Sequence, residues 1–130
     1  MTVKRISLEL WEQCKVVVLG IITHEGIPEM KGLVTPISYV GLKTFYFDIT
    51  NYQIEASFFE LPVTGIICYY NQTIFKSVTI NGHIHLLTKE EVQHIQISQK
   101  INPSAKCQIL QFTSQNGTLY SDYKTHLFDI

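Results

Sequence analysis

The strongest structural signal in this chain is the run Phe75-Lys76-Ser77-Val78-Thr79-Ile80-Asn81-Gly82-His83-Ile84-His85-Leu86-Leu87. From Ser77 to His85, apolar or small residues alternate strictly with polar ones, which is the period of two expected for a half-buried β-strand. About thirteen residues would extend about 40 Å at about 3.3 Å each, which exceeds the usual strand length. We therefore expect the strand to bend around a rounded core. Gly82 is the expected bend, because a residue without Cβ tolerates a β-bulge or a barrel corner.

A helix start follows this strand directly. In Thr88-Lys89-Glu90-Glu91 the hydroxyl of Thr88 can accept a hydrogen bond from the backbone N–H of Glu91, while the Glu91 carboxylate reaches back to the N–H of Thr88. This capping box predicts a helix from Thr88 to about Gln99. Asn102-Pro103 should end it, because proline cannot continue a helix.

The chain before this point contains further strands and two helices. We predict a helix at Ser7–Gln13, with Leu8 and Trp11 facing inward, and a second from Thr50-Asn51 to Leu61, with Ile54, Phe58 and Leu61 as its inward stripe. The predicted strands, read from apolar runs and alternation, are Lys15–Thr23, Ile27–Tyr39, Thr44–Ile49 and Val63–Tyr70.

The chain after Pro103 reads as a hairpin. Ala105 to Thr113 forms the sixth predicted strand, Gln115-Asn116-Gly117 a turn of the Asn-Gly type, and Thr118–Tyr120 the returning segment. Many short strands with a few helices between them favour a mainly β protein built as a barrel.

Composition limits the function classes. With 130 residues and a hydrophobic fraction of 45%, we expect one domain, residues 1–130, with a real core. The net charge of -1 gives no basic footprint, so we expect no nucleic-acid partner and no membrane partner. The three cysteines show no C-x-x-C pair, which excludes a disulfide framework or zinc motif, and a cytoplasmic location is the expectation.

Three motifs in this order resemble a known family. They are Gly26-Ile27-Pro28-Glu29-Met30-Lys31, Phe45-Tyr46-Phe47, and Phe75 to Gly82 leading into Leu87-Thr88-Lys89-Glu90-Glu91. In these residues the sequence resembles the pyridoxamine 5'-phosphate oxidase-like, FMN-binding split-barrel family, which includes general stress proteins and other small flavoproteins. The resemblance implies a six-stranded antiparallel split β-barrel with two or three short helices. It also implies a homodimer with one FMN in each of two interface clefts.

The resemblance also implies which residues bind FMN. The second strand would lie along the isoalloxazine, with Lys31 toward the phosphate and Gly32 and Leu33 beside the ring. The phosphate would be held where the third strand meets the next helix, at Ile49, Thr50, Asn51, Tyr52 and Gln53. The start of the long strand, Lys76 and Ser77, would come from the other subunit.

The residues themselves partly agree with this site. A helix N-terminus at Thr50-Asn51 would present free N–H groups to an anion, and Lys31 and Lys76 could add positive charge. Many family members place Ser-Arg-Lys at that helix start, whereas this chain has Gln53-Ile54-Glu55, whose carboxylate opposes a phosphate. The other interpretations are an ordinary solvated Lys31, a surface Lys76 and a Thr50-Asn51 pair that only caps the helix.

Other candidate chemistry is sparse. His83 and His85 lie two apart on one face of a strand and could bind a metal with a third ligand, but none is evident, so we interpret them as a polar outer face. No Ser/His/Asp or Cys/His arrangement can be assembled, and we nominate no catalytic side chain. The expected function is an FMN-dependent oxidoreductase acting on an unknown small molecule. The alternative is a non-catalytic split-barrel module that lacks flavin or holds another cofactor such as haem.

Overall fold

The computed structural model describes residues 3–50, 52–99 and 108–130. These residues form two α-helices, α1 (Val3–Cys14) and α2 (Lys89–Gln99), and a short 3₁₀-helix, Ala56–Phe59. They also form eight strands: β1 (Val17–Ile22), β2 (Pro28–Val34), β3 (Ser38–Val40), β4 (Thr44–Asp48), β5 (Val63–Asn71), β6 (Lys76–Leu86), β7 (Ile109–Ser121) and β8 (Lys124–Asp129).

The eight strands form one antiparallel sheet. Its order is β2-β1-β5-β6-β7-β4-β3, and β8 pairs with β7 off this path. The end strands β2 and β3 are consecutive in the chain, with only residues 35–37 between them. The two ends of the sheet therefore approach each other at this corner, and the sheet curls in the manner of a split barrel. The predicted mainly β class is confirmed.

The long strand lies at the centre of the sheet. β6 pairs with β5 on one side and β7 on the other, and Val78, Ile80, Gly82 and Ile84 are all buried, as the alternation predicts. The pairing register with β7 shifts between Asn81 and Gly82, so the predicted irregularity at Gly82 is confirmed. A Cβ on Gly82 would collide with the carbonyl oxygen of Thr113. The close approach of β7 therefore requires glycine here.

The N-terminal helix packs its aromatic residue into the core. Trp11 is 2% exposed, and its ring lies edge-on to Phe45 and Tyr69, with both centroid separations 5.8 Å. The hydroxyl of Tyr69 donates a 2.8 Å hydrogen bond to the carbonyl of Ser7, which ties α1 to β5. Burial raises the pKa of Tyr69 far above its usual range, so the phenol keeps the proton that it donates. The predicted helix is present and begins earlier, at Val3.

The strand count differs from the six expected. The extended segment 27–39 divides into β2 and β3 around Pro36, which has no N–H to donate to a ladder. The chain end adds β8, which pairs with β7 from Asn116 to Ser121.

The predicted Asn116-Gly117 hairpin is wrong. β7 runs through both residues to Ser121, and the turn lies at Asp122-Tyr123, whose φ values are 54° and 64°. The Asn81 side chain donates a 3.0 Å hydrogen bond to that of Asn116, and the Phe128 ring leaves no room for a Cβ on Gly117. Contacts with neighbouring strands therefore keep Asn116-Gly117 within β7, although this pair is typical of a hairpin turn. Residues 105–107 of the predicted sixth strand lie outside the described residues.

The predicted helix from Thr50-Asn51 to Leu61 is also wrong. Among the described residues of this segment only Ala56–Phe59 is helical, as a 3₁₀-helix, and Glu55, at its N-cap, makes no capping hydrogen bond with its side chain. The Thr50 hydroxyl instead donates to Asp48 Oδ1 at 2.6 Å and accepts a 2.9 Å hydrogen bond from the N–H of Gln108. Thr50 thus ties the end of β4 to the chain entering β7. Asn51 lies outside the described residues.

The capping box is confirmed. The N–H of Thr88 donates to Glu91 Oε1 at 3.0 Å, and the N–H of Glu91 donates to Thr88 Oγ1 at 3.2 Å. α2 begins at the next residue, Lys89. Within the described ranges, neither this helix nor α1 has the length and apolar character needed to cross a membrane.

Candidate functional site

Lys31 occupies an irregular position on β2. In the pairing with β1, Met30 lies opposite Gly20 and Gly32 lies opposite Leu19, so Lys31 is the additional residue of a β-bulge. A bulge changes the direction in which the side chain of the extra residue points, and bulges are frequent beside active sites. The Lys31 side chain is only 24% exposed. It is therefore not a freely solvated surface lysine.

The Lys31 ammonium has two neighbours. Its Nζ atom lies 4.6 Å from the ring centroid of Phe58 and 3.6 Å from Oε1 of Glu29. The first contact is a cation–π interaction, because the face of an aromatic ring is electronegative. The second is an ion pair along β2. Together they position the ammonium group between Glu29 on β2 and Phe58 on the 3₁₀-helix.

A small cavity, here called the Lys31 cavity, lies beside these groups. Its volume is about 200 Å³, and it is lined by Lys31, Gln53, Ile54, Glu55, Phe58 and Phe59. Gly32 borders the same region, since a Cβ built on it would stand 3.9 Å from Ile54 Cδ1. Two of the predicted cofactor segments, β2 and the chain after β4, therefore meet here.

The charges in this region oppose a phosphate. Among the described lining residues Lys31 is the one cation, and it is already paired with Glu29. Glu55 adds a second carboxylate, which accepts a 3.2 Å hydrogen bond from the Ser57 hydroxyl. The predicted α-helix N-terminus is replaced by a four-residue 3₁₀-helix. The described residues therefore do not fit the phosphate end of FMN.

The other residues predicted after β4 differ in their exposure. Ile49 is 1% exposed and belongs to the core. Thr50, Tyr52 and Gln53 are exposed, and of these Gln53 lines the Lys31 cavity. Leu33, on β2, is 66% exposed.

Lys76 and Ser77 lie at a different place. They line a cavity of about 350 Å³ at the tip of the β5–β6 hairpin, together with Tyr70, Asn71, Gln72, Phe75 and Tyr120. This tip cavity shares no lining residue with the Lys31 cavity. Within one chain, the predicted cofactor residues thus form two separate groups.

Phe58 was not identified as a site residue from the sequence. The predicted helix places it on the inward stripe, yet it is 46% exposed and packs edge-on against buried Phe59, with ring centroids 5.3 Å apart. The available signal was the Phe58-Phe59 pair, because consecutive residues of one element cannot both face the core. Phe58 also lines a neighbouring cavity of about 490 Å³ formed by the β1–β2 turn and the start of β5.

The two histidines make separate contacts. His83 Nε2 lies 2.8 Å from Gln115 Nε2, and His85 Nε2 lies 3.8 Å from Glu91 Oε2. The described part of the chain brings together no group of three potential metal ligands.

Solved structures share this architecture. A protein from Clostridium acetobutylicum, related to general stress protein 26 of B. subtilis and of the pyridoxinephosphate oxidase family, superposes with a TM-score of 0.76 at 20% identity, covering 98% of this chain and 94% of its own. The chain has the fold of this pyridoxinephosphate oxidase family protein. HupZ of Group A Streptococcus superposes with a TM-score of 0.66 at 10% identity, covering 93% of this chain and 96% of its own.

A third neighbour extends the range of this fold. A NimC/NimA family protein from Clostridium acetobutylicum superposes with a TM-score of 0.59 at 14% identity, covering all of this chain and 95% of its own. At these identities the likeness is one of fold alone. No family model matches the sequence, and no curated protein matches it.

Proposed function

We propose that this chain is a flavin-binding oxidoreductase acting on a small molecule, with FMN as the flavin that the sequence resemblance implies. The observation that carries the proposal is the position of Lys31. It lies at a β-bulge, beside the chain that follows β4, in the fold of a pyridoxinephosphate oxidase family protein. The substrate is open.

The chain's own contribution to such chemistry is to bind and orient the flavin. Among the described strands β2 pairs only with β1, so alternate residues along its outer edge, around Gly32 and Leu33, offer backbone N–H and C=O groups to the heteroatoms of an isoalloxazine ring. Phe58 and Ile54 supply apolar surface beside it. The bound flavin would supply the electron or hydride transfer.

We propose further that two copies form the site. Large apolar side chains are exposed on β2, at Met30 and Leu33, and at the hairpin tip, at Tyr70 and Phe75. Exposed apolar patches of this kind are typical of interaction surfaces. A homodimer would cover them and could bring Lys76 and Ser77 of a second copy toward the flavin.

The test begins with the absorbance spectrum of the purified protein, followed by fluorescence titration with FMN and with riboflavin. Flavin bands, or quenching that saturates, support the proposal. Lys31→Ala, which removes a side chain that lines the cavity, should weaken the binding of FMN and of riboflavin about tenfold, and Lys43→Ala, in the exposed β3–β4 turn, should change neither. A colourless protein that binds neither flavin at about 100 μM would exclude the proposal.

A specific observation favours a second candidate, the non-catalytic split-barrel module. Glu29 and Glu55 oppose the phosphate of FMN, so the barrel could be empty of flavin or hold another cofactor such as haem. A protein that binds neither flavin but shifts the absorbance band of added haemin would support this candidate.

A further inference from the structure

We infer that the Lys31 cavity selects a flavin without its phosphate, so that riboflavin binds at least as tightly as FMN. This inference rests on the proposed flavin-binding function and specifies the ligand of that same site. It is carried by the charges and the lining of the cavity.

The cation of the site is already neutralised. Lys31 Nζ lies 3.6 Å from Glu29 Oε1 and sits over the Phe58 ring at 4.6 Å. A phosphate could reach Lys31 only by displacing Glu29 or by lying beside its carboxylate. Displacement would lose the ion pair, and a position beside the carboxylate would place like charges together.

The second carboxylate acts in the same direction. Glu55 lines the cavity, and its Oε1 is bound to the Ser57 hydroxyl at 3.2 Å. Ser57 is thereby engaged as a donor to Glu55. The Thr50 hydroxyl is engaged in the same way with Asp48 Oδ1 at 2.6 Å. These hydroxyl protons, which could serve a phosphate, are directed to carboxylates of the chain itself.

The lining suits a neutral polyol better than a dianion. Gln53 provides an amide that can both donate to and accept from hydroxyl groups, and Ile54, Phe58 and Phe59 provide apolar walls. A volume of about 200 Å³ admits a chain of a few hydroxylated carbons without requiring a counter-charge. The ribityl chain of riboflavin, which ends in a hydroxyl, has this chemistry.

The experiment compares the dissociation constants of riboflavin and FMN for the full chain at low ionic strength. We expect a ratio of FMN to riboflavin constants of one or more. Glu55→Lys should improve FMN binding about tenfold and change riboflavin binding less than about twofold, because only FMN carries the phosphate charge. Glu29→Gln, which frees Lys31, should act in the same direction. Glu60→Lys is the matched control, since Glu60 is exposed just after the 3₁₀-helix and does not line the cavity.

The outcomes separate this inference from the proposed function. Tighter binding of FMN than of riboflavin by the unmodified chain would overturn the inference and leave the flavin proposal intact. An FMN response to Glu55→Lys no larger than that to Glu60→Lys would also overturn it. Binding of neither flavin would overturn both.

Discussion

The local sequence predicts the structure around Gly82 better than the structure around Lys31. Gly82 keeps its place in a strict alternation, and the register shift beside it leaves Gln115 of β7 as the extra residue, where a glycine without Cβ allows β7 to approach closely. The resemblance implies that Lys31 lies near the phosphate. Its ion-pair partner Glu29 is two residues away on the same strand, but nothing local indicates the contact with Phe58. Phe58 is distant in sequence, and the contact exists only because β2 and the 3₁₀-helix meet.

At Gly82 we predict a large loss of stability on substitution. Gly82→Ala should lower the free energy of unfolding by about 2 to 3 kcal/mol, because the new Cβ would collide with the Thr113 carbonyl in the adjacent strand. Urea denaturation checks this. The control is Gly26→Ala, whose Cβ meets nothing within 4 Å and which costs about 1 kcal/mol for its φ of 78°. Equal losses in the two variants would contradict the account of the bulge.

The start of α2 and the turn between β7 and β8 have different physical causes, and separate measurements test each of them. α2 begins at a capping box that is complete in four residues, and its prediction needed no knowledge of the rest of the fold. The β7–β8 hairpin turns at Asp122-Tyr123, where neither residue is glycine and both φ values are positive. No turn rule selects this pair over Asn116-Gly117 six residues earlier.

The capping box should give the start of α2 a pH dependence. Hydrogen bonding from the Thr88 N–H, more than its other interactions, lowers the pKa of Glu91 below its ordinary value of 4.5. A lowered pKa in the folded state means that the stabilisation is complete above pH 4.5 and is lost as pH falls through the folded value.

Glu91→Gln should therefore lower the free energy of unfolding at about pH 5.5 by about 0.5 kcal/mol, and the difference should shrink toward pH 3. Chemical denaturation across this range measures it. Glu90→Gln, in the same first turn, is the control and should show a smaller pH-dependent difference. A constant difference between Glu91→Gln and the parent at all pH values would argue against the charged carboxylate.

A glycine substitution in the β7–β8 turn should stabilise the protein against unfolding. Tyr123 is 91% exposed and has a φ of 64°, so Tyr123→Gly removes strain without removing packing. We expect a gain of about 1 kcal/mol in the free energy of unfolding, measured by urea denaturation. Tyr123→Ala is the control, because it removes the ring but keeps the Cβ, and it should give no gain. Equal stabilisation by Ala and Gly would assign the effect to the ring instead.

Many large apolar side chains are exposed on the surface of the described chain. Sixteen large hydrophobic residues of the described chain are exposed, and several lie on β2 and at the β5–β6 tip. A homodimer would cover this surface. It would also allow the two groups of predicted cofactor residues, which line separate cavities of one chain, to meet between two copies.

We predict that the protein is a dimer in sedimentation equilibrium and that Leu33→Glu shifts it to monomer. A carboxylate at this 66% exposed position of β2 would be buried without a partner in the interface. Lys43→Glu places the same charge in the exposed β3–β4 turn and should leave the dimer unchanged. A parent chain that sediments as a monomer at about 100 μM would contradict the dimer.

The structural features that could be predicted from the sequence are those caused by residues close together in the chain. The alternation of β6, the irregularity at Gly82 and the capping box of α2 each depend on residues within a few positions of one another, so periodicity and sterics suffice to predict them. The order of motifs also pointed to the fold. The local signals predicted a mainly β protein, and the family resemblance implied that β2 and the chain after β4 contribute to one site.

The remaining features required the folded chain, because their causes lie far apart in the sequence. Asn116-Gly117 stays in a strand because the Asn81 side chain donates a hydrogen bond to Asn116 and the Phe128 ring packs against Gly117. Thr50 fails to cap a helix because its hydroxyl is bound by Asp48 and Gln108. Glu55 likewise reaches the cavity beside Lys31 only because the segment after β4 folds against β2, and no periodicity along the chain encodes that arrangement.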